Sequence, residues 1–342
     1  MGNADRLGKL KDDLAALAPQ RQPPSAPQQN RGRSAGHPGQ IPAPGWKDIL
    51  VRSWAEVSEN NIFLVSGGVT YAVLLALFPA LAALVSIYGL LLDPVQVERQ
   101  VEALADVLPP ESTQMVADQL HKLVTASSGS LGLSAVVALL FALWSASRGM
   151  SGMITALDIA YREKETRGFF KLNLIAIGLT LLALVGGTVS IALVGVLPAA
   201  MQVVGLGADV QWVVTGLEWP LLILLVMTGL SVLYRYAPNR KTARWRWVSP
   251  GAIIATLLWI AGSVGFSIYV THFNSYDKTY GSLGGVVIML TWLYLSAFAA
   301  LFGAVINAEA ERQTTADSTV GSPKPMGDRQ AYAADTVGET PR

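Results

Sequence analysis

The sequence predicts an all-α integral membrane protein, a bundle of six transmembrane helices. Half of the residues are hydrophobic (51%) and only 14% are charged, against about 25% in a typical soluble domain. Six long runs are apolar and nearly free of charge, and each exceeds the roughly 20 residues that a helix needs to cross the hydrocarbon core. Lys and Arg cluster in alternate loops between these runs, as they do in membrane proteins of fixed orientation.

The six predicted spans lie in one membrane domain, residues 46–312. A lipid-facing open strand would leave backbone groups unpaired, so the runs are predicted as helices. Pro198 ends the third run, and Glu218 is the single charge in the fourth. The predicted spans are 62–92, 123–147, 172–197, 210–234, 247–274 and 279–308.

The segments that flank this domain are polar. Residues 1–45 and 313–342 hold too little apolar surface to form a core, so both are predicted as disordered tails. At the start of the domain, Trp46, Ile49 and Trp54 recur at helical spacing and predict a short amphipathic helix. This helix either lies in the membrane interface or packs on the end of the bundle.

The loop cations predict the orientation. Lys and Arg are frequent before the first span and in the second and fourth loops, and sparse in the other three loops. Both termini are therefore predicted to be cytoplasmic, in an inner (cell) membrane. On the other side, loop 93–122 has two apolar stripes separated by Pro109-Pro110, with six acids against two bases. It is predicted to be an acidic external helical hairpin able to dock envelope partners.

Composition also argues against several functions. The chain has no Cys, and its three His residues are far apart, so neither a metal site nor another cofactor is predicted. A net charge of +1 provides no basic field for nucleic acid. No phosphate-binding glycine loop is present. We therefore predict that the protein is not an enzyme, binds no nucleic acid and has membrane lipids as partners.

Several motifs, in unbroken order over 46–312, resemble the YihY/BrkB family of bacterial inner-membrane proteins. They include Ser66-Gly67-Gly68-Val69-Thr70-Tyr71, Trp144-Ser145-Ala146-Ser147-Arg148-Gly149, Tyr234-Arg235-Tyr236-Ala237-Pro238 and Tyr280-Gly281-Ser282-Leu283-Gly284. One departure is Asp158, where family members usually carry Asn. The resemblance implies a six-span protein of undefined activity. Some members are linked to virulence, and others were labelled ribonuclease BN, a label now regarded as a misassignment.

Polar residues inside the spans are the first functional candidates, because exposing them to lipid costs several kcal/mol. Glu218 is predicted about 12 Å deep. Pro220 interrupts the helix beside it, and a carboxylate at a broken helix suits a cation or proton site. Alternatively, Glu218 is an interfacial acid beside Trp212 and Trp219. Four further candidates for the intramembrane site are Thr70, Tyr71, Asn173 and Asn307.

Cations near the cytoplasmic ends are candidates for binding anionic lipid headgroups. Arg148, at the predicted end of the second span, either anchors to lipid phosphate or pairs with Glu309. The basic run between the fourth and fifth spans is typical of a positive-inside anchor, and headgroup binding is an additional role. The candidates are Arg148, Arg235, Arg240, Lys241, Arg244 and Arg246.

Three functional hypotheses follow. The first is a transporter or flippase for an amphipathic or lipid-linked envelope substrate. The second is a non-transporting scaffold for envelope assembly, with the hairpin 93–122 as its docking surface. The third is a tRNA-processing ribonuclease, which the sequence supports least because it shows no cluster of metal ligands.

Overall fold

The computed structural model describes residues 31–91, 131–196, 208–272 and 283–341. These residues form helices and turns, and their single β-bridge joins Ala243 to Thr319. The predicted hairpin 93–122 lies outside the described residues, as do residues 1–30. Within the described ranges the all-α prediction is confirmed.

Seven long helices and two short ones make up the described chain. Six of the long helices, α2 to α7, are long and apolar enough to cross a membrane, which confirms the predicted number of spans. The long helices are α1 (Ala43–Glu59), α2 (Ile62–Leu91), α3 (Leu131–Ala160), α4 (Phe169–Ile191, continued by a π-helical turn Ala192–Val196), α5 (Ala208–Tyr236), α6 (Trp245–His272) and α7 (Leu283–Glu311). The short ones are a 3₁₀ turn (Pro38–Gln40) and α8 (Tyr332–Asp335).

The second span differs from its predicted bounds of 123–147. In the structure α3 continues to Ala160, well past Arg148. Residues 149–160 are small or apolar apart from Asp158, so one arginine is not enough to end the helix. Arg148 therefore lies inside the span rather than at its end.

The six spans form a closed ring of neighbours. Each of α2 to α6 packs against the next helix in the chain, and α7 packs against both α6 and α2. The main contact across the ring is between α3 and α7. The two most extensive contacts, α2–α3 and α6–α7, use glycines that allow the backbones to approach closely, including Gly149 beside Ala76 and Gly251 beside Gly303.

Most of the buried residues that the structure describes lie at one end of the ring, which we call the base. The base comprises α1, the adjoining ends of the six spans, the turns after α3 and α5, and the segment after α7, and the sequence predicts that it is cytoplasmic. Its buried apolar side chains include Ile49, Leu157, Tyr234, Trp247 and Leu301. Helix α1 packs against α7 and α2 through Ile49 and Val57, with Trp54 exposed, which favours packing on the bundle over lying alone in the interface.

The described parts of both predicted tails are folded, which corrects the prediction of disorder for them. Residues 313–341 cross the base, and Gln313, Thr314 and Ser318 are buried there. The segment is held by hydrogen bonds more than by apolar area. Arg329 alone donates to four backbone carbonyls, those of Thr315, Ala316, Lys324 and Ala334. At the other end of the chain, Arg31 pairs with Asp48 at 2.7 Å.

Candidate functional site

Three of the four further polar candidates inside the spans have separate hydrogen-bond partners, and the fourth, Tyr71, is exposed. The Thr70 hydroxyl donates to the carbonyl of Ser66 in its own helix, and Asn173 donates to the carbonyl of Phe169 in its own helix. Tyr71 is 64% exposed on the surface of α2, so it does not line an interior with Thr70, which is buried. These residues therefore give no support to a single polar cavity.

Asn307 is a clamp between α6 and α7. It is fully buried; its Oδ1 accepts from the amide of Gly251 at 2.7 Å, and its Nδ2 donates to the carbonyl of Val248 at 3.1 Å. Nearby, α5 is joined to α7 by Tyr234, whose hydroxyl donates to the carbonyl of Ala300 at 2.7 Å. The role of Asn307 in the structure is helix packing.

Glu218 is buried on an otherwise exposed stretch of α5. It is 7% exposed, whereas its neighbours Leu217, Trp219 and Leu221 are exposed. A freely solvated interfacial acid would not be covered to this extent. The proposed cation or proton site at Glu218 remains a prediction, as its burial alone identifies no ligand.

Three of the candidate headgroup cations are engaged by the protein. The Arg240 guanidinium is almost fully buried, lies 2.6 Å from Glu311 and stacks 4.9 Å from the ring centroid of Tyr161. Arg244 donates to the carbonyls of Thr319 and Gly321, and Arg235 donates to the carbonyl of Ala243. Arg240 cannot reach a headgroup, because its donors face the interior of the base.

The prediction that Arg148 pairs with Glu309 is wrong. Glu309 is buried in the base, where it pairs with Arg52 at 2.5 Å and with Arg312. Arg312 also lies 3.2 Å from Glu56, which binds Arg162 at 2.6 Å. This network joins α1, α7 and the turn after α3.

Sequence reasoning missed this network for a structural reason. Its members come from three segments that are distant in the chain, and a single sequence does not show that these segments meet. Asp158 belongs to the same layer. Its Oδ1 accepts from the backbone amide of Asn239 at 2.7 Å, a bond that the Oδ1 of an Asn at this position would also accept. Burial raises the pKa of the neighbouring Tyr161 phenol, which therefore stays neutral.

Lys241 and Arg246 remain exposed, and neither forms an ion pair with a described residue. Arg246 lines a pocket of about 620 Å³ between the 3₁₀ turn, α1 and the first turns of α6. This volume is within the roughly 300–1,000 Å³ of typical small-molecule sites. The lining residues are His37, Pro38, Gly39, Trp46, Arg246, Ser249, Pro250, Ile253 and Ile254.

The pocket has a polar end and an apolar end. Arg246 is the second residue of α6, where the helix dipole is positive and adds to the attraction for an anion. Pro250 has no N–H, so the carbonyl of Arg246 loses its helical donor and is available to a ligand. Toward the middle of the span, Ile253 and Ile254 extend an apolar wall. This arrangement suits an amphipathic ligand with an anionic head.

The fold and this pocket define a multi-pass helical membrane protein with an amphipathic pocket at the base. The described residues contain no group of three or more His, Asp or Glu that could hold a metal ion. The family model for virulence factor BrkB matches residues 53–326, so the chain belongs to this family, as its motifs indicated. No solved structure matches the chain significantly.

Curated relatives agree with this assignment. A ribonuclease-like protein of Bacillus subtilis is 33% identical over 71% of this chain and 88% of its own length. A UPF0761 membrane protein of Rhodospirillum centenum is 30% identical over 81% of this chain, which spans 60% of that relative. Another UPF0761 membrane protein, from Tolumonas auensis, is 27% identical over 75% of this chain and 82% of its own length.

Proposed function

We propose that this protein moves an amphipathic molecule with an anionic head, such as a lipid or a lipid-linked envelope precursor, across the membrane. The observation that carries the proposal is the pocket at the base. Its cation, Arg246, faces an open volume, whereas Arg235, Arg240 and Arg244 are bound by the protein itself. A cation left for a ligand beside an apolar wall fits a lipid headgroup and its chain.

The packing of the spans also supports transport. At the base, the helices are joined by ion pairs and by the Asn307 clamp, whereas most residues of the spans away from the base are not buried. In the 18-residue apolar window of the span Gly216–Tyr236, only 6% of the residues are buried. A span with so few buried residues can move around a substrate, because its movement disturbs few contacts within the protein.

Reconstituted vesicles test the proposal. The full chain is inserted into vesicles that contain fluorescent phosphatidylglycerol, and its movement between leaflets is followed by quenching from outside. We expect faster exchange than in protein-free vesicles. Arg246→Glu should reduce the rate about tenfold, as loss of a charge-assisted hydrogen bond predicts. Lys171→Glu is the matched control, since Lys171 is an exposed cation in the first turn of α4 and lies outside the pocket.

Two outcomes would contradict the proposal. Wild-type protein that moves neither phosphatidylglycerol nor a polyprenyl phosphate would remove the transport function. A rate for Arg246→Glu equal to that of Lys171→Glu would remove the role of the pocket.

The name of the Bacillus subtilis relative raises nuclease activity as an alternative. Purified protein that cleaves tRNA with a divalent metal would establish that activity, and intact tRNA would exclude it. The scaffold hypothesis depends on the loop 93–122. Its test is deletion of that loop, after which retained binding of envelope partners would refute it.

A further inference from the structure

Arg148 is a charged residue on an exposed surface deep within a span. Helix α3 continues for twelve residues beyond it, to Ala160, which is about 18 Å of helix. The next residue of α3, Gly149, lies against Ala76 of the neighbouring helix α2. Ala76 is fourteen residues after the start of α2 at Ile62, which is about 21 Å of helix. Both measures place Arg148 near the middle of a hydrocarbon core that is about 30 Å thick.

Exposed apolar side chains near the base support this depth. Leu64, in the first turn of α2, is 77% exposed, and Phe170, in the first turn of α4, is 87% exposed. Large apolar side chains exposed on a spanning helix are stable in lipid and not in water. The hydrocarbon region therefore begins near these first turns, and Arg148 lies well inside it.

Arg148 points away from the ring. At helical spacing it shares a face of α3 with Phe141 and Trp144, which are exposed. The opposite face carries Ile154 and Leu157, which are buried against the rest of the bundle. The guanidinium is therefore on the outer surface of the ring, where it is surrounded by lipid.

An anion is the partner that this surface requires. The guanidinium lies 4.3 Å from the centroid of the Trp144 ring, and this contact uses its face but none of its N–H donors. The planar fork of donors matches phosphate oxygens. Left unpaired in hydrocarbon, the charge would cost several kcal/mol. None of the ten ion pairs between described residues includes Arg148.

A second copy that presented the same face of α3 would not supply this anion. A twofold interface would place the same face of α3 opposite itself. That face carries Val137, Phe141, Trp144, Arg148 and Thr155, with no carboxylate. Two guanidinium groups would then meet in a medium of low dielectric, which is strongly unfavourable.

We propose that Arg148 and Trp144 bind the phosphate of a membrane phospholipid at mid-bilayer depth, so that the outer face of α3 is the path along which an anionic headgroup crosses. The path rests on the proposed function, whereas the binding does not. The cation lowers the electrostatic cost of bringing a phosphate into hydrocarbon, and the exposed aromatic rings of the same face contact the acyl chains.

Lipid retention tests the binding without transport. The full chain is released from nanodiscs of phosphatidylethanolamine and phosphatidylglycerol, and its bound phospholipids are counted by native mass spectrometry. We expect Arg148→Gln to lower the affinity for one phosphatidylglycerol about tenfold, while Arg148→Lys keeps part of it. Lys171→Gln is the matched control, because Lys171 is an exposed cation in the first turn of α4, and it should retain the lipid.

Each other outcome is decisive. Equal retention by wild type and Arg148→Gln overturns the site. Displacement of the lipid by inorganic phosphate alone would show that the site takes free phosphate, and it would overturn the lipid assignment. A lower dimer fraction in Arg148→Gln with unchanged lipid would show a contact between copies. Lost lipid in Arg148→Gln without transport by wild type would refute the proposed function and leave the site intact.

Discussion

The base of the molecule and the ring above it differ in the burial and pairing of their charged side chains. In the base, arginines and carboxylates are buried and paired, as in Arg240 with Glu311 and Arg52 with Glu309. In the ring, between 6% and 28% of the residues in the apolar windows are buried, and Arg148, the one deep guanidinium among the described residues, faces outward. The difference assigns stability to the base, whereas the ligand binding and the movement that we propose involve the ring.

The largest expected effect comes from breaking the buried pair of the base. Arg240→Met leaves the Glu311 carboxylate without its cation in a fully buried position. Removing one partner of such a pair costs about 3–5 kcal/mol, because the remaining charge is not compensated. We expect a marked fall in the melting temperature of the detergent-solubilised protein, measured by intrinsic fluorescence.

The double variant Arg240→Met with Glu311→Met is the control for this experiment. It removes both charges and should recover most of the lost stability. If the single variant melts like wild type, the base is not the stabilising region and the comparison with the ring fails.

A smaller effect is expected at the crossing of α6 and α7. A Cβ added at Gly251 would meet the carbonyl oxygen of Gly303 at 2.0 Å, so Gly251→Ala must separate the two helices. We expect a loss of about 1–3 kcal/mol in unfolding free energy, the usual cost of overpacking. Gly262→Ala on the same helix is the control, since nothing lies within 4 Å of its added Cβ.

The two glycine variants separate packing from helix propensity. Alanine is a better helix former than glycine by about 0.5–1 kcal/mol, so Gly262→Ala should be neutral or stabilising. Equal melting temperatures for the two variants would contradict the close approach at the base.

The sequence predicts the spans of the ring better than the contacts of the base. Hydrophobic run length predicted the six spans, because a helix in lipid must satisfy its backbone internally. It could not predict that α3 continues past Arg148, since a guanidinium facing outward does not interrupt helical hydrogen bonds. Asn307 had a clear signal as a polar residue in a span. The role of Asn307 depends on Gly251 on another helix, and one amino-acid sequence alone does not show which residues of different helices meet.

The segment after α7 was mispredicted because its stability has a different source. Composition measures apolar area, and residues 313–341 have little of it. Arg329 instead holds this segment together through hydrogen bonds to the segment's own backbone carbonyls, those of Thr315 and Ala334. The base holds the segment through further hydrogen bonds, in which the amide of Arg244 donates to the carbonyl of Ser318 and the amide of Tyr332 donates to Glu163. A polar segment that folds only on a preformed surface carries no sign of that surface in its own sequence.

The smallest expected effect tests how firmly this segment is docked. Glu163, in the turn after α3, accepts the amide of Tyr332 at 2.8 Å, and burial raises the pKa of its carboxyl above the ordinary value. A raised acid pKa means that the folded protein favours the protonated form. Glu163 therefore adds stability below its ordinary pKa, and this contribution is lost as the pH rises through the raised value.

We expect Glu163→Gln, which keeps the acceptor oxygen, to flatten this dependence of stability on pH. Melting temperatures from mildly acidic to neutral pH provide the measurement. Parallel curves of melting temperature against pH for wild type and Glu163→Gln would show that the pKa of Glu163 does not depend on the docking of the segment. The base would then be more open to water at Glu163 than at Arg240.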